Sequence, residues 1–174
     1  IHDAGKLHCD LKPSNVLMTP AGRVTILDFG LVADRDPDAV AASDHAPLEP
    51  ALAADEVRTT TRTSPSAAFH LRGGAVRGTP AYMAPEQTLG APATPASDWY
   101  AVGVMLYEAL TGHLPFAGSS ALVLARKRVE DPAHPRELAA PLPDDLCDLC
   151  LQLLSRDPAL RPGIEAIVPR LVQG

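Results

Sequence analysis

An acid, a lysine, an amide and a second acid stand close together near the start of the chain. The run His8-Cys9-Asp10-Leu11-Lys12-Pro13-Ser14-Asn15 is followed by Asp28-Phe29-Gly30. Further on come Ala84-Pro85-Glu86 and an apolar stretch opening at Asp98. Moving a phosphoryl group asks for such a set, because it needs positioned groups and compensation of spreading negative charge more than covalent help. Taken singly, Asp10, Asn15 and Asp28 could be polar residues of ordinary turns. Four signals in one order, with loop and strand text between them, are far more specific.

The elements that must hold these residues follow from composition and period. Residues 1–6 read as the tail of a helix, with Gly5 as its C-cap. Residues 7–15 are then a loop, since Pro13 is barred from a regular helix interior. Residues 15–18 and 24–27 look like two short strands, joined by a turn that Pro20 and Gly22 favour. Such a hairpin brings Asn15 and Asp28 to one end, although a turn separates them in sequence. From about residue 33 to residue 77, Ala, Asp, Pro, Ser and Thr dominate and no period holds. We expect a long mobile loop there, an insertion over 34–77. Order returns at Gly78-Thr79-Pro80. A buried helix is expected over 98–110, capped by Ser97 and ended by Gly112. Further helices are expected over 121–128, 144–155 and 164–172. Everything after the hairpin therefore reads as helical.

Composition narrows the function class. At 174 residues the chain is about one domain long. Its net charge of −6 argues against a broad basic surface for nucleic acid, and 4% aromatic residues argue against a base-stacking platform. The longest apolar run, 99–110, is too short for a membrane span and contains Glu108. No signal peptide is visible at the start, and a first residue of Ile1 suggests a segment of something longer. Cys9, Cys147 and Cys150 are too few for a disulfide framework, so a reducing, cytoplasmic setting is the default. The pair Cys147-Asp148-Leu149-Cys150 lies in a leucine-rich helical pattern with no second pair at zinc spacing, and reads as small buried hydrophobes.

On these motifs the chain resembles the C-terminal lobe of a eukaryotic-type serine/threonine protein kinase of the kind also found in bacteria. The resemblance runs from residue 1 to about residue 171. It implies a mainly α fold with a small catalytic β-hairpin, one lobe of a two-lobed α+β parent, so that 1–174 is a partial kinase domain. Asp10 would accept the proton of a substrate hydroxyl, and Lys12 would place positive charge near the transferring group. Asn15 and Asp28 would be hard oxygen ligands for Mg²⁺, or for Mn²⁺ in its stead. ATP would be the phosphoryl donor, with Lys12, Asn15, Leu17 and Asp28 around it and Leu17 beneath the adenine. Gly78, Thr79 and Pro80 would position the acceptor. Lys12 and Thr79 together imply serine and threonine acceptors, since tyrosine kinases depart at both positions. Six residues would be structural. His8 and Phe29 would act as struts beside Gly30, Glu86 would pair with Arg161, and Asp98 would accept from the backbone near His8 and Cys9.

The chain also departs from that pattern. Cys9 stands where regulated members carry an arginine that meets a phosphate on the activation loop, so activity is expected not to depend on loop phosphorylation. Thr59, Thr60, Thr61, Thr63, Ser64 and Ser66 are either phosphorylation sites or incidental hydroxyls of a solvated linker. No Gly-rich phosphate loop, strand lysine or partner glutamate occurs, so a partnering N-lobe is expected elsewhere in the parent chain. This segment alone is expected to be inactive. Two other readings stay open: a non-catalytic partner-binding lobe, and a small-molecule phosphotransferase of the aminoglycoside or choline type. Lys12, Phe29-Gly30, Thr79-Pro80 and Ala84-Pro85-Glu86 argue against the last.

Overall fold

The structure is a computed structural model that describes residues 1–28, 33–34, 69–71, 74–76 and 79–172. Phe29, Gly30, Gly78 and most of the span read as a loop insertion lie outside the described residues.

The chain enters through a single 3₁₀ turn, His2–Ala4, which Gly5 ends in the left-handed conformation at φ 66°. Strand β1 (Lys6–Leu7) follows, and Pro13–Asn15 form a second 3₁₀ turn. The expected hairpin is then made by β2 (Val16–Met18) and β3 (Val24–Ile26), antiparallel with Val16 opposite Ile26. Its turn closes through Thr19, whose carbonyl accepts from Gly22 N–H and whose hydroxyl accepts from Arg23 N–H. Gly22 takes φ 78°, a conformation open to glycine at little cost.

Within the span expected to be one loop the chain also pairs strands. β4 (Ala33–Asp34) lies antiparallel to β1, and β5 (Phe69–Leu71) pairs with β6 (Gly74–Val76). The part of the chain beyond the first hairpin is therefore not wholly helical. Phe69, His70 and Leu71 alternate apolar, polar, apolar, which is strand period, but over too short a run to stand out in sequence.

The helices are α1 (Pro95–Thr111), α2 (Ser120–Val129), the one-turn α3 (Pro135–Leu138), α4 (Asp144–Leu153) and α5 (Ile164–Val172). α1 starts earlier than expected, and Thr94 rather than Ser97 is its cap. Pro95 explains the shift: its fixed φ and missing N–H suit the first helical position. Ser97 falls in the first turn, where its Oγ accepts from Thr94 N–H at 3.2 Å. Gly112 ends the helix at φ 73°, as expected.

The core forms where α1 meets α4. Ala84, Tyr100, Val104, Tyr107, Cys150 and Leu154 make one buried cluster, and Leu149, Leu153 and Ile167 a second. Cys147 and Cys150 are buried, as the leucine pattern of α4 implied. Burial pushes the Cys150 thiol up to about 12, so it packs as a small apolar group. Among the described residues no helix is long and apolar enough to cross a membrane.

Close approach of α1 and α4 depends on Gly103. A Cβ added there would lie 2.7 Å from Leu153 Cβ and 3.2 Å from its main-chain carbon, atoms that no rotamer change can move. Gly103→Ala should therefore destabilise the fold. Overpacking costs about 1–3 kcal/mol and outweighs the ~1 kcal/mol that alanine gains in helix propensity. A lower denaturant midpoint at unchanged slope would show it, and a raised midpoint would contradict it.

Candidate active site

The loop between β1 and β2 is held from below by Asp98, a carboxylate only 4% exposed in the first turn of α1. His8 N–H donates to Asp98 Oδ2 and Cys9 N–H to Asp98 Oδ1, each at 2.9 Å. Cys9 has φ 65°, left-handed and unusual for a residue with a side chain. Such a conformation costs roughly 1–3 kcal/mol and persists only where its surroundings over-determine it. The two bonds to one buried carboxylate supply that constraint. The N-terminal end of α1 also favours negative charge at Asp98. His2 joins from the other side: its Nε2 lies 2.9 Å from Asp98 Oδ2, and its ring meets Trp99 edge-on at 6.0 Å between centroids.

On this base the Asp10 carboxylate is fixed at both oxygens. Lys12 Nζ donates to Oδ2 at 2.6 Å. Thr79 reaches Oδ1 through its main-chain N–H at 3.2 Å and its hydroxyl at 3.3 Å. Lys12 Nζ also donates to Thr79 Oγ1 at 3.1 Å, which closes a ring of three side chains from two distant stretches of sequence. Asp10 is buried and Lys12 largely so, which leaves little water to screen the pair.

Asn15 and Asp28 flank the open end of the hairpin. Asn15 Nδ2 donates to the Asp10 carbonyl at 2.9 Å, which commits the amide nitrogen. The amide oxygen has no protein donor among the described residues. Leu27 is clipped in place from both sides: its N–H donates to the Asn15 carbonyl at 2.8 Å, and its carbonyl lies 3.1 Å from His8 Nε2. Since Asp10 N–H donates to His8 Nδ1 at 3.4 Å, the hydrogen of the His8 ring belongs on Nε2, facing Leu27. The next residue, Asp28, is exposed and turned by φ 57°. One neutral and one anionic oxygen at the same hairpin end suit a small hard cation such as Mg²⁺ far better than a soft one. Leu17 lies 56% exposed on the same hairpin.

The segment that begins at Thr79 is tied down at several points. Glu86 meets Arg161 through two 2.7 Å bonds, Nη1 to Oε1 and Nη2 to Oε2, and Ser97 Oγ donates to Glu86 Oε1 at 2.9 Å. Arg161 also donates to the Ala96 and Ser155 carbonyls and lies over the Tyr100 ring at 4.9 Å. Tyr82 donates to Glu108 Oε2 at 2.8 Å, and burial, with Glu108 beside it, raises its phenol.

Two anchors of this segment were not foreseen. Arg128 donates to Thr88 Oγ1 at 2.8 Å and to the Thr88 carbonyl. Lys127 donates to the carbonyls of Pro80, Ala81 and Met83. In sequence both belong to a basic run at a helix end, Arg126-Lys127-Arg128, of the kind that is ordinarily solvated. The one available clue was helical period: Lys127 lies four residues after Val123 and three after Leu124, both buried.

Comparison with known proteins gives the family. Residues 1–171 match the protein kinase domain. The chain is 40% identical over 160 residues to serine/threonine-protein kinase PknA of Mycobacterium tuberculosis, which covers 92% of this chain and 30% of that protein. It is 37% identical over 162 residues to serine/threonine-protein kinase PknL of the same species, over 92% and 33% of the two chains. Serine/threonine-protein kinase pkn3 of Myxococcus xanthus is 37% identical over 169 residues, 93% of this chain and 26% of its own. The chain thus spans about a quarter to a third of the length of these relatives, and it belongs to the protein kinase domain family.

Proposed function

We propose that this chain is the C-terminal lobe of a serine/threonine protein kinase and carries the catalytic loop that moves the γ-phosphoryl group of ATP onto serine or threonine hydroxyls of proteins. One observation carries the reading: Asp10, Lys12 and Thr79 form a closed ring of hydrogen bonds in which both carboxylate oxygens are oriented. The acceptor oxygen forms a bond to the γ-phosphorus as the bond to the leaving ADP oxygen breaks. Asp10 takes the hydroxyl proton, and Lys12 offsets negative charge as it spreads over the transferring oxygens. Thr79 orients Asp10 from the acceptor side, which joins recognition of a Ser/Thr acceptor to the position of the base. Mg²⁺ bound at Asn15 and Asp28 would supply further compensation of charge on the phosphates.

The exposed Leu17 of the β2–β3 hairpin lies beneath the adenine at the floor of the ATP site, and an N-lobe of the same parent chain forms its roof. ATP as donor fits a cytoplasmic setting. Cys9, which offers no cation to a phosphate, supports a catalytic loop that works without loop phosphorylation.

The test is phosphate transfer from γ-labelled ATP by the full-length protein. Asp28→Ala should lower transfer by about 10²-fold or more, as loss of one charge-compensating group does, and should raise the Mg²⁺ concentration needed. Transfer at the wild-type rate and the wild-type metal requirement would defeat the proposal.

A further inference from the structure

We infer that Lys127 is a positioning residue for the acceptor protein, holding the segment after Thr79 in the shape that receives it. The inference rests on the reading of Asp10 and Thr79 given above. Its basis is a side chain 1% exposed whose ammonium is spent wholly on main-chain carbonyls of one short segment. Nζ lies 2.9 Å from the Pro80 oxygen, 2.5 Å from that of Ala81 and 2.7 Å from that of Met83. These three bonds use all three ammonium hydrogens and set the curvature of the chain directly after Thr79, the residue bonded to Asp10. Lysine is rarely fully buried without a paired acid, and Lys127 has no carboxylate partner among the described residues. A hydrophobic residue would fill the space without the desolvation cost, so the geometry points to a use for the charge.

That use implies a pH signature. Burial pulls the Lys127 ammonium down to about 7. The groups around it are the Tyr100 ring at 5.2 Å, with Arg161 on that same ring, and Tyr82 in the held segment. On its own helix, Arg126 is turned to Glu130 and Phe116, and Arg128 to Thr88. Once deprotonated, the amine has two hydrogens for three carbonyls and turns a lone pair on one of them. The grip then loosens as pH rises through neutrality. Stability runs the other way. The folded group titrates below its unfolded value of 10.5, so between about 7 and 10.5 the unfolded chain binds more protons and folding strengthens with pH. A merely structural lysine would move activity and stability together.

The experiment compares wild type and Lys127→Met in the full-length protein, with separate KM values for a Ser/Thr acceptor protein and for ATP between pH 6.5 and 9. Removing the charged hydrogen bonds should raise the acceptor KM by roughly ten- to a hundredfold and leave the ATP KM within about twofold. The wild-type acceptor KM should climb above neutral pH, while that of the variant stays flat. If Lys127→Met does not fold, Lys127→Gln, which keeps two N–H donors and does not titrate, should show the same flat profile with a smaller loss. An unchanged acceptor KM, or acceptor and ATP values rising in parallel, overturns the inference alone. A wild type that transfers no phosphate overturns the parent reading and this one with it.

Discussion

Replacing Asp10 by asparagine should lower turnover by about 10²–10⁴-fold, the range for loss of a general base. The two side chains have nearly the same shape, so the loop should keep its fold on the Asp98 support. What changes is chemistry at both oxygens. Asparagine takes up no proton from the acceptor hydroxyl, and one of its two heads is now an N–H donor. Whichever way the amide turns, it presents hydrogens either to Lys12 Nζ, now 2.6 Å from Oδ2, or to the Thr79 N–H, now 3.2 Å from Oδ1. The amide that least disturbs Thr79 faces the Lys12 ammonium and releases it. The substitution thus removes the base and disperses its neighbour together. Steady-state kinetics should place the loss in kcat, with the KM for ATP within about twofold. A variant within tenfold of wild type would mean that Asp10 is not the base.

Arg161→Ala should cause the largest loss of stability among single substitutions in the described residues. Removing one partner of a buried ion pair typically costs ~3–5 kcal/mol, because the remaining charge stays desolvated. For a chain of this length that corresponds to a fall in Tm of roughly 6–20 °C. The two halves of the pair are not equivalent. Without Glu86, Arg161 keeps the Ala96 and Ser155 carbonyls and the face of Tyr100. Without Arg161, Glu86 keeps Ser97. Arg161→Ala should therefore cost more than Glu86→Ala. Arg161→Lys should also cost, since one ammonium does not reproduce the planar fork that meets both Glu86 oxygens. Thermal melts of the three variants check the order, and a milder effect from Arg161→Ala than from Glu86→Ala would contradict it.

The parts of the site that are local in sequence were legible in it. The strand-like runs over 15–18 and 24–27, with Pro20 and Gly22 between them, imply a hairpin, and the Val16–Ile26 pairing places that hairpin where it was expected. Gly112 marks the end of α1 because few other residues take φ 73° cheaply. What escaped is carried by groups far apart in the chain or hidden in ambiguous text. Thr94 and Ser97 are both good capping residues, and only Pro95 decides between them. His2 reads as an isolated histidine until the fold brings it to Asp98. Helical period from Val123 and Leu124 is the one sign that Lys127, a lysine between two arginines, is buried. Its partners are carbonyls, which every residue possesses and no composition reveals.

The catalytic loop is expected to direct phosphate to serine and threonine. The most direct measurement is phosphoamino-acid analysis after the full-length protein has been incubated with γ-labelled ATP, Mg²⁺ and a mixed protein acceptor. Label on phosphoserine and phosphothreonine, lost in Asp10→Asn, is the result the Asp10–Lys12–Thr79 ring predicts. Label on phosphotyrosine, or label that survives Asp10→Asn, would contradict it.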